Sequence, residues 1–243
     1  MTSVVPARAH LIDTVGNVVG IRDANDDQDH LFVFQGEPTN SVAFDTTPDT
    51  IAPLGVGELR WNETNGTLEF VLLGGNVALQ IGQEQLARVK NDTGAVLAKG
   101  TVVYPTGATG TNKTVAKAQA NAEATSSKTF GVLAEAIANG EHGFVATFGL
   151  VDNIDTSALT EGAAVYLSPT VAGGLTSTKP SAPNHMVVIG FCVRSQANNG
   201  VLFVKVQNGF ELDEIHNVKI TSPQDGQVLK YQSSTGLWIN ATP

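Results

Sequence analysis

The side chains best suited to metal binding or nucleophilic catalysis are few in this 243-residue chain, and their spacing matches no catalytic or zinc motif. The five histidines are His10, His30, His142, His185 and His216. No two of them form the H-x₃-H or H-E-x-x-H pairs that bind zinc, and one cysteine cannot complete such a site. Cys192 lies in an apolar run at residues 186–193, which predicts a small buried side chain rather than a catalytic thiol.

One acidic stretch begins like a calcium-binding loop. Asp23, Asn25 and Asp27 have the alternate spacing of the first ligands in such a loop. However, Gln28 stands where the loop needs glycine, and Phe34 stands where it needs a bidentate glutamate. The pattern therefore favours a solvated turn over a metal site.

The other motifs for catalysis are incomplete. Residues 107–114 look like a phosphate-binding loop, but no glycine directly precedes Lys113 and no strand–loop–helix pattern surrounds it. The sequence has no G-x-S-x-G nucleophile motif, and the carboxylate pair Glu211 and Asp213 is typical of a solvated face. We therefore predict that the chain is not an enzyme and has no catalytic residues, no cofactor and no metal.

The net charge and the composition indicate which classes of partner the protein can bind. The net charge of −9 and the pI of about 4.9 would repel DNA and RNA, and no basic run opposes this repulsion. Charged residues make up only 15% of the chain, below the roughly 25% of an average globular protein. Because charge is costly to bury between subunits, this composition suits extensive protein contacts, and we expect no nucleic acid partner.

The sequence shows no feature of membrane insertion or secretion. No apolar run approaches the ~20 residues that a spanning helix needs. The first residues lack a basic region followed by an apolar core. We therefore expect that the protein does not insert into a membrane. We also expect that it is synthesised in a reducing cytoplasm.

Residues 97–210 contain the same strand-rich pattern twice. Leu97-Ala-Lys-Gly-Thr-Val-Val-Tyr104 returns as Leu159-Thr-Glu-Gly-Ala-Ala-Val-Tyr166. Gly131-Val-Leu-Ala-Glu-Ala-Ile-Ala138 returns as Gly190-Phe-Cys-Val-Arg-Ser-Gln-Ala197, and each copy then continues through a glycine into an apolar run. A repeated strand–turn–strand unit without a catalytic cluster indicates a packing module rather than an active site.

The repeat and its flanking strands predict an all-β fold, in which small β-hairpin modules flank a duplicated β-barrel or sandwich-like block with one or two short helices. Four regions follow: an N-terminal arm (1–48), a β-hairpin module (49–96), the duplicated domain (97–210, copies about 97–151 and 159–210), and a C-terminal linker with a hairpin (211–243).

Two hairpins are predicted from local sequence. In residues 57–71, Trp61 lies in an alternating strand, and Asn65-Gly66 fits the two positive-φ positions of a type I′ turn. In residues 226–239, a glycine turn again precedes a strand that contains a tryptophan, Trp238. Each hairpin is too small to be stable alone.

The remaining segments give weaker signals. Residues 9–13, 18–21 and 31–34 have the composition of short strands. Residues 116–128 are alanine-rich and form the main helix candidate, although they also fit a polar loop because no apolar stripe is sustained.

The two copies of the repeat differ in the segment between their halves. The first copy has a long, mostly polar stretch at residues 105–129, and the second has residues 168–174 and 179–183. Insertions in a repeat often form a contacting face, so both are candidates for contact with a neighbour, with solvent loops as the alternative.

Several segments carry a more specific signature. They are Glu161-Gly-x-x-Val-Tyr-Leu-Ser-Pro-Thr-x-Ala-Gly-Gly174, Thr178-Lys-Pro-Ser-Ala-Pro-Asn-His185, Val206-Gln-Asn-Gly-Phe-Glu-Leu-Asp-Glu-Ile-His216, Val218-Lys-Ile-Thr-Ser-Pro-Gln-Asp-Gly-Gln-Val-Leu-Lys-Tyr231, Gly57-Glu-Leu-Arg-Trp-Asn-Glu-Thr-Asn-Gly-Thr-Leu68 and Gly75-Asn-Val-Ala-Leu-Gln-Ile-Gly-Gln-Glu84. Together they resemble virion structural proteins of tailed bacteriophages, chiefly tail-fibre or fibre-like proteins. The resemblance covers roughly residues 49–243, whereas residues 1–48 match nothing in it and are candidates for docking on the particle.

The resemblance implies a non-enzymatic virion component, made in the host bacterial cytoplasm and usually assembled as a homotrimer with other virion proteins as partners. Long fibres continue past the closing hairpin to a receptor-binding tip, whereas this chain ends at Pro243. We therefore expect a short tail fibre or an adaptor at the neck or baseplate. The alternatives are capsid decoration or a head fibre, and a module that binds glycan receptors on the host surface.

Aromatic residues are the expected anchors of the subunit interface, since apolar burial drives association. The candidates are Trp61, Phe70 and Trp238. Tyr104 and Tyr166 lie within the repeat and are expected to fill the core of their own subunit. A third class of function, hydrolysis of a surface polysaccharide, would require a carboxylate pair in a cleft.

Overall fold

The computed structural model describes residues 9–12, 18–23, 28–30 and 54–243. The chain divides into two compact units, Met1–Asp45 and Thr46–Pro243. In the first unit, strands β1 (Ala9–Ile12), β2 (Val18–Asp23) and β3 (Gln28–His30) form an antiparallel sheet in the order β1-β2-β3.

The two strands predicted near the N-terminus are confirmed by β1 and β2. The strand predicted at residues 31–34 and the centre of the calcium-like loop lie outside the described residues.

The second unit begins with a small antiparallel sheet of β4 (Leu59–Asn62), β5 (Thr67–Val71) and β6 (Ala78–Gln80). The predicted hairpin is therefore confirmed, but its predicted type I′ turn is wrong. Four residues connect β4 to β5, and only Gly66 among them has a positive φ, of 62°. Asn65 instead donates its backbone N–H to Asn62 Oδ1 at 3.0 Å, which stabilises the longer loop.

Nine strands form the central sheet, in the order β10-β8-β9-β7-β11-β15-β14-β12-β13. They are β7 (Gln85–Asn91), β8 (Val102–Thr109), β9 (Asn112–Lys117), β10 (Gly131–Leu133), β11 (His142–Ile154), β12 (Ala164–Leu167), β13 (Leu175–Thr176), β14 (Val187–Arg194) and β15 (Gly200–Asn208). Strand β10 pairs with both β8 and β11, so five strands close into a small barrel from which β15, β14, β12 and β13 extend.

The sequence repeat is reproduced in the strand register. In the first copy, Val132 lies opposite Val102 on β8 and Ala146 on β11. In the second copy, Phe191 takes the place of Val132 and lies opposite two residues at the equivalent positions, Ala164 on β12 and Phe203 on β15. The duplicated block predicted from the sequence is therefore confirmed.

Strand alternation in the first copy supplies two separate cores. The interior of the barrel is filled by one residue from each of its five strands together with two loop residues, namely Val89, Val103, Val115, Leu133, Val145, Leu97 and Ile137. The residues next to three of these, Val102, Val132 and Ala146, point outward into a second core. The inner face of the second copy, including Val165, Cys192 and Leu202, completes that second core and covers the barrel on this side.

The predicted helix at residues 116–128 is mostly wrong. Strand β9 continues to Lys117, and the only α-helix among the described residues, α1, spans Glu123–Ser126. Ala118 and Ala120 are fully buried and bond to the sheet, since Ala118 N donates to Val102 O at 2.9 Å. Alanine is used here for close packing rather than for helix formation.

The two long stretches between the halves of the copies are partly bonded to each other. Gly173 N donates to Ala118 O at 2.6 Å, and Ala120 N donates to Ser168 O at 3.1 Å. Gln119 Nε2 also donates to Pro169 O at 2.9 Å. Residues 118–120 and 168–173 therefore join the two copies within one chain and are not solvent loops.

The chain closes with a 3₁₀ turn at Leu212–Glu214 and a sheet of β16 (Val218–Lys219), β17 (Val228–Gln232) and β18 (Leu237–Ala241). Its order is β16-β18-β17, with a parallel β16–β18 pair and the predicted antiparallel hairpin β17–β18. The described chain is therefore all-β, with small sheets on both sides of a duplicated, barrel-like block.

Candidate assembly surfaces

The β4–β6 sheet turns its apolar face away from both cores of its own chain. Cross-strand pairs place Leu59 beside Phe70, Trp61 beside Leu68, and Phe70 beside Leu79. Ile81 extends this face, since its N–H donates to Leu68 O at 2.8 Å. Leu59 and Ile81 are exposed and the other four are only partly buried, and none belongs to either core cluster. We call these six residues the β4–β6 apolar face.

The opposite face of the same sheet is polar apart from one valine of β5, and its β5 residues are buried. Glu69 is only 4% exposed, and it accepts hydrogen bonds from Arg60 Nε and from Asn62 Nδ2. Thr67 is also buried and donates to Ile81 O at 2.7 Å. Within the part of the chain that the structure describes, this sheet satisfies its polar side and has no covering layer over its apolar side.

A polar cleft of about 560 Å³ lies between this polar face and the central sheet. Its carboxylates are already engaged: Asp152 pairs with Lys99 at 3.0 Å, and Glu84 accepts the N–H of Gln80 at 3.0 Å. Burial raises the pKa of the Glu84 carboxyl, with smaller contributions from Asp152 and Glu69. The described residues that line the cleft include no aromatic side chain of the kind that sugar-binding sites use for stacking.

The described residues contain no group of three or more His, Cys, Asp or Glu side chains placed to hold a metal ion. His185 lies between two carboxylates, with Nδ1 at 3.1 Å from Glu123 Oε2 and 3.0 Å from Glu211 Oε1. These contacts tie the start of the C-terminal region to α1. Cys192 is buried as predicted, and burial raises the pKa of its thiol, which lowers its reactivity.

The C-terminal region has no buried residue anywhere from residue 211 to residue 243. Trp238 is 42% exposed, although its ring packs against the more exposed Tyr231. Leu229 lies two residues before Tyr231 on the same face of the sheet and is also exposed. This three-stranded sheet therefore has no core of its own among the described residues, and small sheets of this kind gain stability when they pack against another surface.

A third apolar surface lies on the outer side of the second repeat copy. Phe191 and Phe203 are cross-strand neighbours there, and Phe203 makes an edge-to-face contact with Phe148 at 5.2 Å between ring centroids. Lys205 lies opposite Phe148 on the same side. We call these four residues the second-copy outer face.

The structure places the three predicted anchors on two separate sheets. Trp61 and Phe70 belong to the β4–β6 apolar face, and Trp238 belongs to the C-terminal sheet. Tyr104 packs against the core of its own chain, and Tyr166 on β12 is partly buried.

The second-copy outer face was missed by sequence reasoning. The signal was present in the repeat itself, because aligning the copies shows large aromatic side chains in the second copy where the first has Val132 and Ala146. The alignment of the two copies does not show which copy has its outer face covered. Only the structure shows that the outer face of the second copy is exposed.

Comparison with known proteins gives no family for this chain. A scan against protein-family models finds no match, and a search of curated proteins finds no match either. Within the described residues, no helix is long and apolar enough to cross a membrane.

Proposed function

We propose that this protein is a structural component of a tailed-phage virion, a short tail fibre or a fibre, neck or baseplate adaptor that assembles as a homotrimer. The observation that carries the proposal is that apolar faces on both small sheets are left uncovered within the described chain. The resemblance of residues 49–243 to fibre-like proteins supports the virion as the place of assembly.

The sizes of the open surfaces favour assembly through several of them at once. With strands about 4.8 Å apart and a rise of about 3.3 Å per residue, the twelve strand residues of the β4–β6 sheet cover about 190 Å², and the twelve of the C-terminal sheet cover the same area. A stable interface needs about 800 Å² per partner. One small sheet is therefore insufficient, so a stable assembly has to use several of these surfaces together and bury further area around them.

The energetic reason for association is ordinary apolar burial. Each square ångström of apolar surface removed from water contributes about 25 cal/mol. Aromatic side chains such as Trp61 and Trp238 contribute large areas with few rotatable bonds, so little entropy is lost when they become fixed.

Two measurements test the proposal. Multi-angle light scattering of the purified full chain is expected to give three times the mass of the 25.4 kDa chain at micromolar concentration. A well-folded monomer under these conditions would contradict the assembly mechanism.

The second measurement locates the protein in the particle. Gold-labelled antibodies against the chain are expected to decorate the tail or neck of intact phage particles in electron micrographs. Label on the capsid would replace the tail proposal with capsid decoration, and particles without label would contradict a virion role. Binding of the isolated protein to host cells, abolished by removal of surface glycans, would instead favour receptor binding.

A further inference from the structure

The two copies of the repeat allow a comparison of one surface in a covered and an uncovered state. In the first copy the outward-facing Val132 and Ala146 are buried, because the second copy packs over them. At the equivalent positions of the second copy, Phe191 is 45% exposed and Phe203 is partly exposed. No described part of the chain covers the outer face of the second copy, whereas the second copy covers the outward-facing side chains of the first.

The residue types at the uncovered positions are those of an interface. A surface that faces water permanently has no need of large apolar groups, yet the uncovered copy has phenylalanine where the covered copy has valine and alanine. Phe148 adds a third ring through its edge-to-face contact with Phe203. Clustered aromatic side chains of this kind are typical of the centre of a protein interface.

A segment with an exposed aromatic side chain and charge opposite to that of Lys205 lies directly after β15. Phe210 is 82% exposed, the most exposed of the large apolar residues in the described chain. It is followed by three acidic residues, Glu211, Asp213 and Glu214. The one charged residue of the second-copy outer face is Lys205, which is basic and exposed.

This segment is held in one conformation, so Phe210 projects from a fixed base. Gly209 N donates to Met186 O at 3.1 Å on one side of Phe210. On the other side, Glu211 is paired with His185 at 3.0 Å, and its N–H donates to Glu214 Oε2 at 2.7 Å. A projecting aromatic ring on an ordered base loses little entropy on binding, which favours affinity.

We propose that Phe210 of one subunit inserts into the second-copy outer face of a second copy of this chain, against Phe191 and Phe203, with the acidic residues beside Phe210 facing Lys205. In a trimer, each subunit would give its Phe210 segment to one neighbour and its second-copy outer face to the other, and such a head-to-tail contact closes into a ring when its rotation allows. The inference rests on the proposed function, because it assigns one interface of the proposed homotrimer.

The experiment replaces Phe210 with the photo-crosslinking aromatic residue p-benzoylphenylalanine in the full chain. Equal amounts of ¹⁵N-labelled and unlabelled protein are mixed, illuminated, digested and analysed by mass spectrometry, so that a heavy–light peptide pair identifies a contact between two chains. The matched control carries the same residue at Val171, which is also exposed and belongs to the loop between β12 and β13. We expect heavy–light pairs that join position 210 to peptides containing Phe191 or Phe203, and none from the control.

Substitution supplies an independent readout. Phe210→Ala and Phe191→Ser are each expected to weaken self-association at least 10-fold by light scattering on dilution, and Val171→Ser is expected to leave it unchanged. A trimer that crosslinks elsewhere, or only within one chain, overturns this inference and leaves the proposed function standing. A monomer overturns both.

Discussion

The rings of Tyr231 and Trp238 lie 5.6 Å apart at an angle of 57°, as a cross-strand pair on a sheet that has no buried residue. The pair is the largest apolar feature of the C-terminal sheet, yet water reaches both rings. Its contribution to the protein therefore depends on what covers it, which makes the pair a sensitive probe of assembly.

Trp238→Ala is expected to reduce self-association by about 30-fold, because buried interface tryptophans contribute about 2 kcal/mol or more. Sedimentation equilibrium over a dilution series measures this change. Lys230→Ala is the matched control, since Lys230 is exposed on the other face of the same sheet. Equal association of the two variants would show that the Trp238 face takes no part in the interface.

Phe70→Ser tests the β4–β6 apolar face. We expect weaker self-association by at least 10-fold, while the free energy of unfolding of the dissociated chain falls by only about 1 kcal/mol, since Phe70 is only partly buried in its own subunit. Light scattering and urea unfolding measure the two quantities. Leu73→Ser, at an exposed loop position beside the sheet, serves as the control. A large loss of unfolding free energy with unchanged association would mean that Phe70 is a core residue.

Gly131→Ala and Gly190→Ala test whether the two copies obey the same packing constraint. A Cβ at Gly131 would collide with Ala146 O, and a Cβ at Gly190 would collide with Phe203 O, the equivalent atom of the other copy. Each variant is expected to lose about 3 kcal/mol of unfolding free energy or to fail to fold.

Gly110→Ala is the control for these glycines. It lies in an open turn with φ of 60° and no atom within 4 Å of an added Cβ, so only the backbone cost of about 1 kcal/mol is expected. Thermal and urea unfolding compare the three variants. Normal stability of either repeat variant would contradict the shared register.

Glu84→Gln is expected to gain stability relative to the unmodified chain as the pH rises. Burial raises the pKa of Glu84 above its ordinary value of 4.5, so the folded protein holds a proton that the unfolded chain releases. The stability contribution of this group therefore falls as the pH rises above about 4.5, and glutamine removes that fall. Urea midpoints of both proteins from pH 4 to pH 7 measure the difference. A constant difference across this range would contradict the raised pKa.

Asp155→Asn is expected to show the opposite pH dependence. Hydrogen bonds from Ser157, through its hydroxyl and its backbone N–H, lower the pKa of Asp155 below its ordinary value of 3.8. The ionised carboxylate therefore adds stability above about pH 4, and this contribution disappears as the pH falls below that range. The variant should be less stable than the unmodified chain at neutral pH, and the difference should become smaller as the pH falls below about 4. Urea unfolding at pH 3 and pH 7 tests both points.

Local features were predictable where short-range patterns decide them. The alternation of apolar residues predicted β5, a glycine turn predicted the hairpin that contains β18, and the repeated sequence around Gly131 and Gly190 predicted a duplicated strand unit. Residues 116–128 were mispredicted because alanine favours helices only when no sheet competes. Here the pairing of β9 with β8 uses Ala116 and Lys117, the first residues of that segment.

The sequence by itself determined that the chain is all-β, that its central block is duplicated, and that its strands alternate between an apolar and a polar side. Only the tertiary structure decided which of those sides is covered. Val132 and Phe191 have equivalent registers and opposite exposure, because covering a sheet face requires a layer that arrives from a distant part of the chain or from another molecule. Local sequence specifies which side of a strand is apolar, but only long-range contacts determine whether that side is buried.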